Sequence, residues 1–173
     1  MFKTILPAIL FSLLVEASVA QPLSQSNYQS AVGMRVSGGY YDLFSASYKT
    51  FITEPGAIEL NAGFRNYSIP GFSWFNLSAS ASYQHHFNIE PVEGLRWFIG
   101  GGLVAVNSFS SYSSYSGFGL GIFPTGGVDY KFAGIPLNLS ADLRPTISLI
   151  KPNGYYSGFY LGNAGLSARY TIR

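Results

Sequence analysis

Leu137-Asn138-Leu139-Ser140-Ala141-Asp142-Leu143-Arg144-Pro145-Thr146-Ile147-Ser148-Leu149 alternates without a break, apolar or proline at the odd positions and polar or charged at the even ones. Side chains of a strand point alternately to its two faces, so this segment has one oily face and one that carries Asp142 and Arg144 together. The period recurs. Ile58, Leu60, Ala62 and Phe64 stand against Glu59, Asn61 and Arg65, and Phe75, Leu77, Ala79, Ala81 and Tyr83 against Asn76, Ser78, Ser80, Ser82, Gln84 and His86. Phe118, Leu120, Ile122, Val128, Tyr130 and Phe132 oppose Thr125, Asp129 and Lys131, and Leu166, Ala168, Tyr170 and Ile172 oppose Ser167, Arg169 and Thr171.

Lys3, an apolar run from Ile5 to Val15, and Ala17-Ser18-Val19-Ala20 before Gln21 have the layout of a cleavable export signal. The expected division is a signal peptide over 1–20 and one barrel domain over 21–173. No later segment approaches the roughly 20 apolar residues of a transmembrane helix, so any membrane insertion uses strands. Aromatic residues make up 17% of the chain and charged residues only 10%, a balance that invites aggregation in water but suits a bilayer, where aromatic rings sit at both interfaces. The net charge of +2 is too small to argue for nucleic acid. Cysteine is absent, which excludes a disulfide framework and thiolate chemistry.

Turn signals divide the exported chain into eight strand-like segments, near 29–38, 43–53, 57–67, 74–87, 95–107, 117–132, 136–149 and 157–172. The reading is all-β: an eight-stranded antiparallel, transmembrane, up-and-down β-barrel in a bacterial outer membrane, because only closure satisfies every backbone group in lipid. Turns at 53–56, 90–94 and 133–136 are expected on the periplasmic side. Loops at 38–42, 69–72, 108–116 and 151–156 are expected outside, with Tyr40, Tyr41, Tyr112, Tyr115, Tyr155 and Tyr156 available to hold sugars or a partner. Pro124 and Pro145 conflict with unbroken strands and are expected at bulges or near a rim. Gly100-Gly101-Gly102 leaves little alternation in the fifth strand, and its glycines allow a neighbouring side chain to pack close.

Arg35, Lys49, Glu59, Arg65, Asp129, Lys131, Asp142, Arg144 and Arg169 fall on the faces expected to look inward. An eight-stranded barrel is just wide enough to be filled by side chains, so these charges of mixed sign predict a paired polar plug. His85 and His86 are adjacent and point to opposite faces, which argues against a shared metal. His86 with Ser82 on the same face is the one arrangement a hydrolase could use, but no spacing supplies the group that would orient the imidazole. Gly100-Gly101-Gly102 and Gly117-Phe118-Gly119-Leu120-Gly121 lack the helix that a nucleotide loop needs. Asn76-Leu77-Ser78 and Asn138-Leu139-Ser140 match the glycosylation pattern but lie inside strands. The expectation is no enzyme, no cofactor and no metal.

Several segments carry a family resemblance: Gly94-Leu95-Arg96-Trp97-Phe98, Gly127-Val128-Asp129-Tyr130-Lys131-Phe132, Ile135-Pro136-Leu137-Asn138-Leu139-Ser140-Ala141-Asp142-Leu143-Arg144-Pro145 and the closing Ala168-Arg169-Tyr170-Thr171-Ile172. With Tyr48-Lys49 and the Glu54-Pro55-Gly56 turn, the chain resembles the small, porin-like, eight-stranded outer-membrane barrels of Bacteroidetes-type bacteria. The resemblance implies a Gram-negative outer membrane, contact with its lipid and lipopolysaccharide, and recognition of the last strand by the assembly machinery. It implies no single activity. A structural or surface-interaction role leads, a narrow porin-like channel comes second, and a lipid A-modifying enzyme third.

Overall fold

The computed structural model describes residues 28–69 and 72–172; the expected leader and Arg173 lie outside them. The strands are β1 (Ser30–Ser37), β2 (Phe44–Phe51), β3 (Gly56–Ile69), β4 (Phe72–Asn88), β5 (Leu95–Ser110), β6 (Gly117–Lys131), β7 (Leu137–Leu143), β8 (Thr146–Ile150), β9 (Phe159–Tyr160) and β10 (Ala164–Ile172). β7 and β8 run end to end, as do β9 and β10, so these segments form eight antiparallel staves. Each stave pairs with its sequence neighbours, and β1 pairs with β10 to close an up-and-down barrel. All eight segments expected from sequence fall on staves. The last two, read as continuous, are each broken, at Arg144-Pro145 and at 161–163.

Sidedness follows the period of two. Along β10 exposure alternates residue by residue, with Leu166 68% and Tyr170 60% exposed while Ser167 and Arg169 are buried. Arg35, Arg169, Lys49, Gln84 and Glu59 are among the largest fully buried side chains, whereas Met34, Leu60, Leu103 and Ile122 stand in the open. This inverts the arrangement of a water-soluble protein and requires an apolar surrounding.

Glycines inside the barrel make room for neighbours across the ladder. The Phe123 ring lies over Gly102 and the Phe98 ring over Gly127, each where a Cβ would stand. The expected close packing at the fifth strand's glycines is thus observed at Gly102.

Neither proline is at a rim. Continuing the register from Gly126↔Leu143 to Ile122↔Ile147 brings Pro124 opposite Pro145, half-way along β6. Arg144 N and Ser148 N both donate to the last stave, so the alternating backbone turns position 145 towards β6. Lys131 N donates to Gly94 O on the β5 side, so even positions of β6, including 124, face β7 and β8. The prolines therefore meet at one rung, each lacking the donor that this rung alone would use, and no other strand loses a bond. Pro124→Ala should change unfolding free energy by less than about 1 kcal/mol, because a regained bond and a looser unfolded chain oppose each other. Thr125→Pro, which removes a donor aimed at β5, should cost about 3 kcal/mol. Denaturant unfolding in lipid vesicles separates the two, and equal effects would discard the shared-rung account.

Candidate functional site: a buried ionic network

The barrel interior is stacked in layers. Nearest the end where β1 begins and β10 finishes, Asp129 accepts from Lys49 Nζ at 2.6 Å through Oδ2, and from Arg96 Nη2 and Asn138 Nδ2, each at 3.0 Å, through Oδ1. Lys49 Nζ also donates to His86 Nε2 at 2.8 Å, which leaves the imidazole proton on Nδ1, 3.3 Å from Pro55 O. Phe51, Tyr28, Ala31 and Ala57 form an apolar cluster beside this layer, with the Arg96 guanidinium over the Phe51 ring at 4.7 Å. Burial holds the Tyr28 phenol well above its ordinary range.

The central layer is a chain of ion pairs. Arg35 grips Asp142 with two bonds, Nε to Oδ2 at 3.0 Å and Nη2 to Oδ1 at 2.7 Å, and its Nη1 lies 3.5 Å from Asp42 Oδ2. Asp142 Oδ1 also accepts from Arg144 Nε at 2.8 Å. Arg144 Nη2 continues to Glu59 Oε1 at 2.7 Å, and Arg169 Nη2 meets the same oxygen at 2.9 Å. Gln84 Nε2 at 2.7 Å and Asn61 Nδ2 at 3.1 Å complete the shell of Glu59. Ser47 Oγ and Ser140 Oγ, each at 2.8 Å, take further Arg169 donors. Each charge therefore has an opposite neighbour, as a low-dielectric interior requires.

Above the ions sits an apolar cluster of Tyr41, Val104, Val106, Phe123 and Tyr156. Tyr41 and Tyr156 stack at 5.6 Å, and Asn76 ties Tyr156 Oη into the wall at 2.5 Å. Burial raises the Tyr41 phenol, whose Oη lies 2.9 Å from Ser148 Oγ. Tyr41 and Tyr156 were expected on exposed loops; they turn into the barrel mouth instead, because the ionic layer leaves an apolar recess that their rings fill. Tyr112 and Tyr155 remain exposed, at 56% and 49%.

Of the charged residues singled out from sequence, Arg35, Lys49, Glu59, Asp129, Asp142, Arg144 and Arg169 meet inside the barrel. Arg65 lies apart at the far rim, donating to Gly39 O and covering the Tyr67 ring. Lys131 lies apart at the near rim, where Nζ donates to the carbonyls of Phe132 and Ile135. Two members were not singled out. Arg96 follows the even period of β5, obscured by the glycine run, and Asp42 belongs to a loop that folds inward.

Both nitrogens of His86 are engaged, by Lys49 and by Pro55 O, and Ser82 Oγ has no protein hydrogen bond, so Ser82 and His86 do not pair. His85 faces outward, with its Nδ1 3.2 Å from Tyr83 Oη. Asn76 and Asn138 are fully buried, which removes them as glycosylation acceptors. Among the described residues no three metal-binding side chains converge.

An apolar wall closed on itself around a paired polar interior defines the class: an eight-stranded antiparallel barrel of the outer-membrane type. No protein-family model matches the sequence, and no curated protein matches it. Among solved structures the fold is similar to that of Neisserial surface protein A, with a TM-score of 0.58 and 17% identity over 83% of this chain and 94% of the other.

Proposed function

We propose that this chain is an integral protein of a Gram-negative outer membrane, exported by a leader over 1–20, with a side-chain-plugged lumen and a structural or surface-interaction role. One observation carries the reading: the ionic chain from Asp42 through Arg35, Asp142, Arg144 and Glu59 to Arg169 lies below the apolar cluster around Tyr156. The solved neighbour is a surface protein by its title, in line with work done on the outer face, and the motif resemblance to porin-like barrels of Bacteroidetes-type bacteria points the same way. Exposed Tyr112 and Tyr155 with half-exposed Arg65 supply stacking faces and a cation towards lipopolysaccharide sugars. Purified full-length protein in planar bilayers should give no stepwise currents. Regular single-channel steps from the unaltered chain would overturn the plugged reading.

A narrow channel is favoured by a different observation. Asn61 Oδ1, Ser82 Oγ, Gln84 Oε1 and Thr125 Oγ1 are buried with no protein hydrogen bond, the signature of internal water. Such steps, abolished by bulky substitution at Ser82, would support that alternative. Lipid A modification would show as an altered acyl pattern in outer-membrane lipids, sensitive to His86→Ala.

A further inference from the structure

We infer that the outer wall of β1 and β2 is a lipid-facing surface cut to a much thinner bilayer than the rest of the barrel, so that the membrane is pinched beside it. The inference rests on the membrane reading above, since only a bilayer gives the height of the apolar wall a consequence.

The apolar wall has a different height on different strands, counted from the polar-tipped aromatic at its foot to its last outward apolar side chain. On β6 it runs from Tyr130 to Phe118, and on β5 from Trp97 to Phe109 with Asn107 interrupting it, twelve residues apart in each case. On β4 it runs from Tyr83 to Phe75, eight residues apart, and on β2 only from Tyr48 to Phe44, four apart. β1 offers Val32, Met34 and Val36 before the chain turns inward at the buried Tyr41 and Asp42. At about 3.3 Å per residue and a strand tilt of roughly 40°, twelve residues rise about 30 Å and four about 10 Å. A bilayer core is about 30 Å thick, and that of an outer membrane somewhat less. The tall side fits it and the short side does not.

Both boundaries of the short side are marked. Above, a line of phenylalanines climbs away from it: Phe44 and Phe64 share a rung, the Phe64 and Phe75 rings stack at 6.0 Å, and Phe75 shares a rung with Phe109. Beyond that line the outward side chains turn polar, with exposed Asn66 and Ser68 after Phe64 and exposed Ser73 next to Phe75. β3 also continues past Phe64 to Ile69 with no β2 residue beside it. Hydrocarbon does not tolerate such an open edge, so headgroups and water must reach down to Phe64 here. Below, Ser30 and Thr50 share a rung with their hydroxyl oxygens 3.0 Å apart, and Tyr48 Oη donates to Ser30 Oγ at 3.2 Å. Beneath them Ile52 of the turn is the next exposed apolar residue on β2. The belt is therefore a wedge. Inclining the barrel moves both boundaries together and cannot make them parallel, so the lipid beside β1 and β2 has to thin.

The chain has no cysteine, so a single one placed on the outer wall carries a nitroxide label at one site. Full-length Met34→Cys and Ala46→Cys, which lie on one rung, are compared with Leu103→Cys, midway between Trp97 and Phe109. Each is labelled and refolded into dioleoylphosphatidylcholine vesicles, and its depth is read from collisions with oxygen against those with a nickel chelate. The label should lie about 5 Å beneath the headgroups at Met34 and Ala46 and about 15 Å beneath them at Leu103, half the local wall height in each case. Equal depth at the three sites overturns the pinched surface. Labels at Met34 and Ala46 shielded from both oxygen and chelate, with Leu103 still in lipid, overturn it as well and put a second barrel on β1 and β2 instead. Heat-modifiable gel mobility of the same samples shows whether the barrel formed. A folded barrel whose Leu103 label meets the chelate freely contradicts the membrane reading itself, so that failure is seen separately.

Discussion

Glu59→Ala is expected to lower the unfolding free energy by about 3–5 kcal/mol, the cost of breaking a buried ion pair from one side. Glu59 is the carboxylate that Arg144 and Arg169 share, at 2.7 and 2.9 Å. Without it Arg144 keeps Asp142, but Arg169 keeps only neutral partners, Ser47, Ser140 and Asn138. A guanidinium buried to that degree has little water to turn to. Glu93→Ala, on an exposed turn, should stay within about 0.5 kcal/mol. The pair of substitutions Glu59→Ala and Arg169→Ala together should cost less than the sum of the two alone, since the second removes the charge that the first exposes. Urea unfolding from vesicles, followed by the fluorescence of Trp74 and Trp97, measures all four. A change below about 1 kcal/mol for Glu59→Ala would mean that water, not the carboxylate, balances the two arginines.

The alternation between Leu137 and Leu149 was enough to assign inside and outside, because the period of a strand is local and one-sided burial makes it visible. Closure was legible for a related reason: in lipid an open edge is not an option. Partners were not legible. Arg35 and Asp142 are 107 positions apart, and which charge meets which depends on the stagger between staves, a non-local quantity. The same stagger hides the rung shared by Pro124 and Pro145, so each proline looks like a separate defect in the sequence. Arg96 escaped because Gly100, Gly101 and Gly102 erase the pattern on its strand, and Asp42 escaped because loop residues have no period to read. The inward turn of Tyr41 and Tyr156 is a packing outcome, decided by the apolar recess left above the ions.

Gly165→Val should be almost as damaging as loss of Glu59, although it adds only apolar atoms. A Cβ at Gly165 would stand 2.4 Å from Arg35 Cζ and Nη2 and 2.5 Å from Nε. The guanidinium tip of a free arginine would simply swing away, but this one is 1% exposed and held by two bonds to Asp142. Displacing it strips Asp142 of its bidentate partner and leaves Asp42 without the cation beside it at 3.5 Å. The loss is therefore that of a broken buried pair, about 3–5 kcal/mol, with steric strain added. Arg35→Leu in the same background should recover part of it, because the shorter apolar chain no longer meets the new side chain, although Asp142 then relies on Arg144 alone. Gly134→Val is the matched control: nothing lies within 4 Å of its added atom, and its effect should stay within about 0.5 kcal/mol. If Gly165→Val unfolds no earlier than Gly134→Val in urea, Arg35 has a second seat in the lumen and the central ionic layer is looser than its distances suggest.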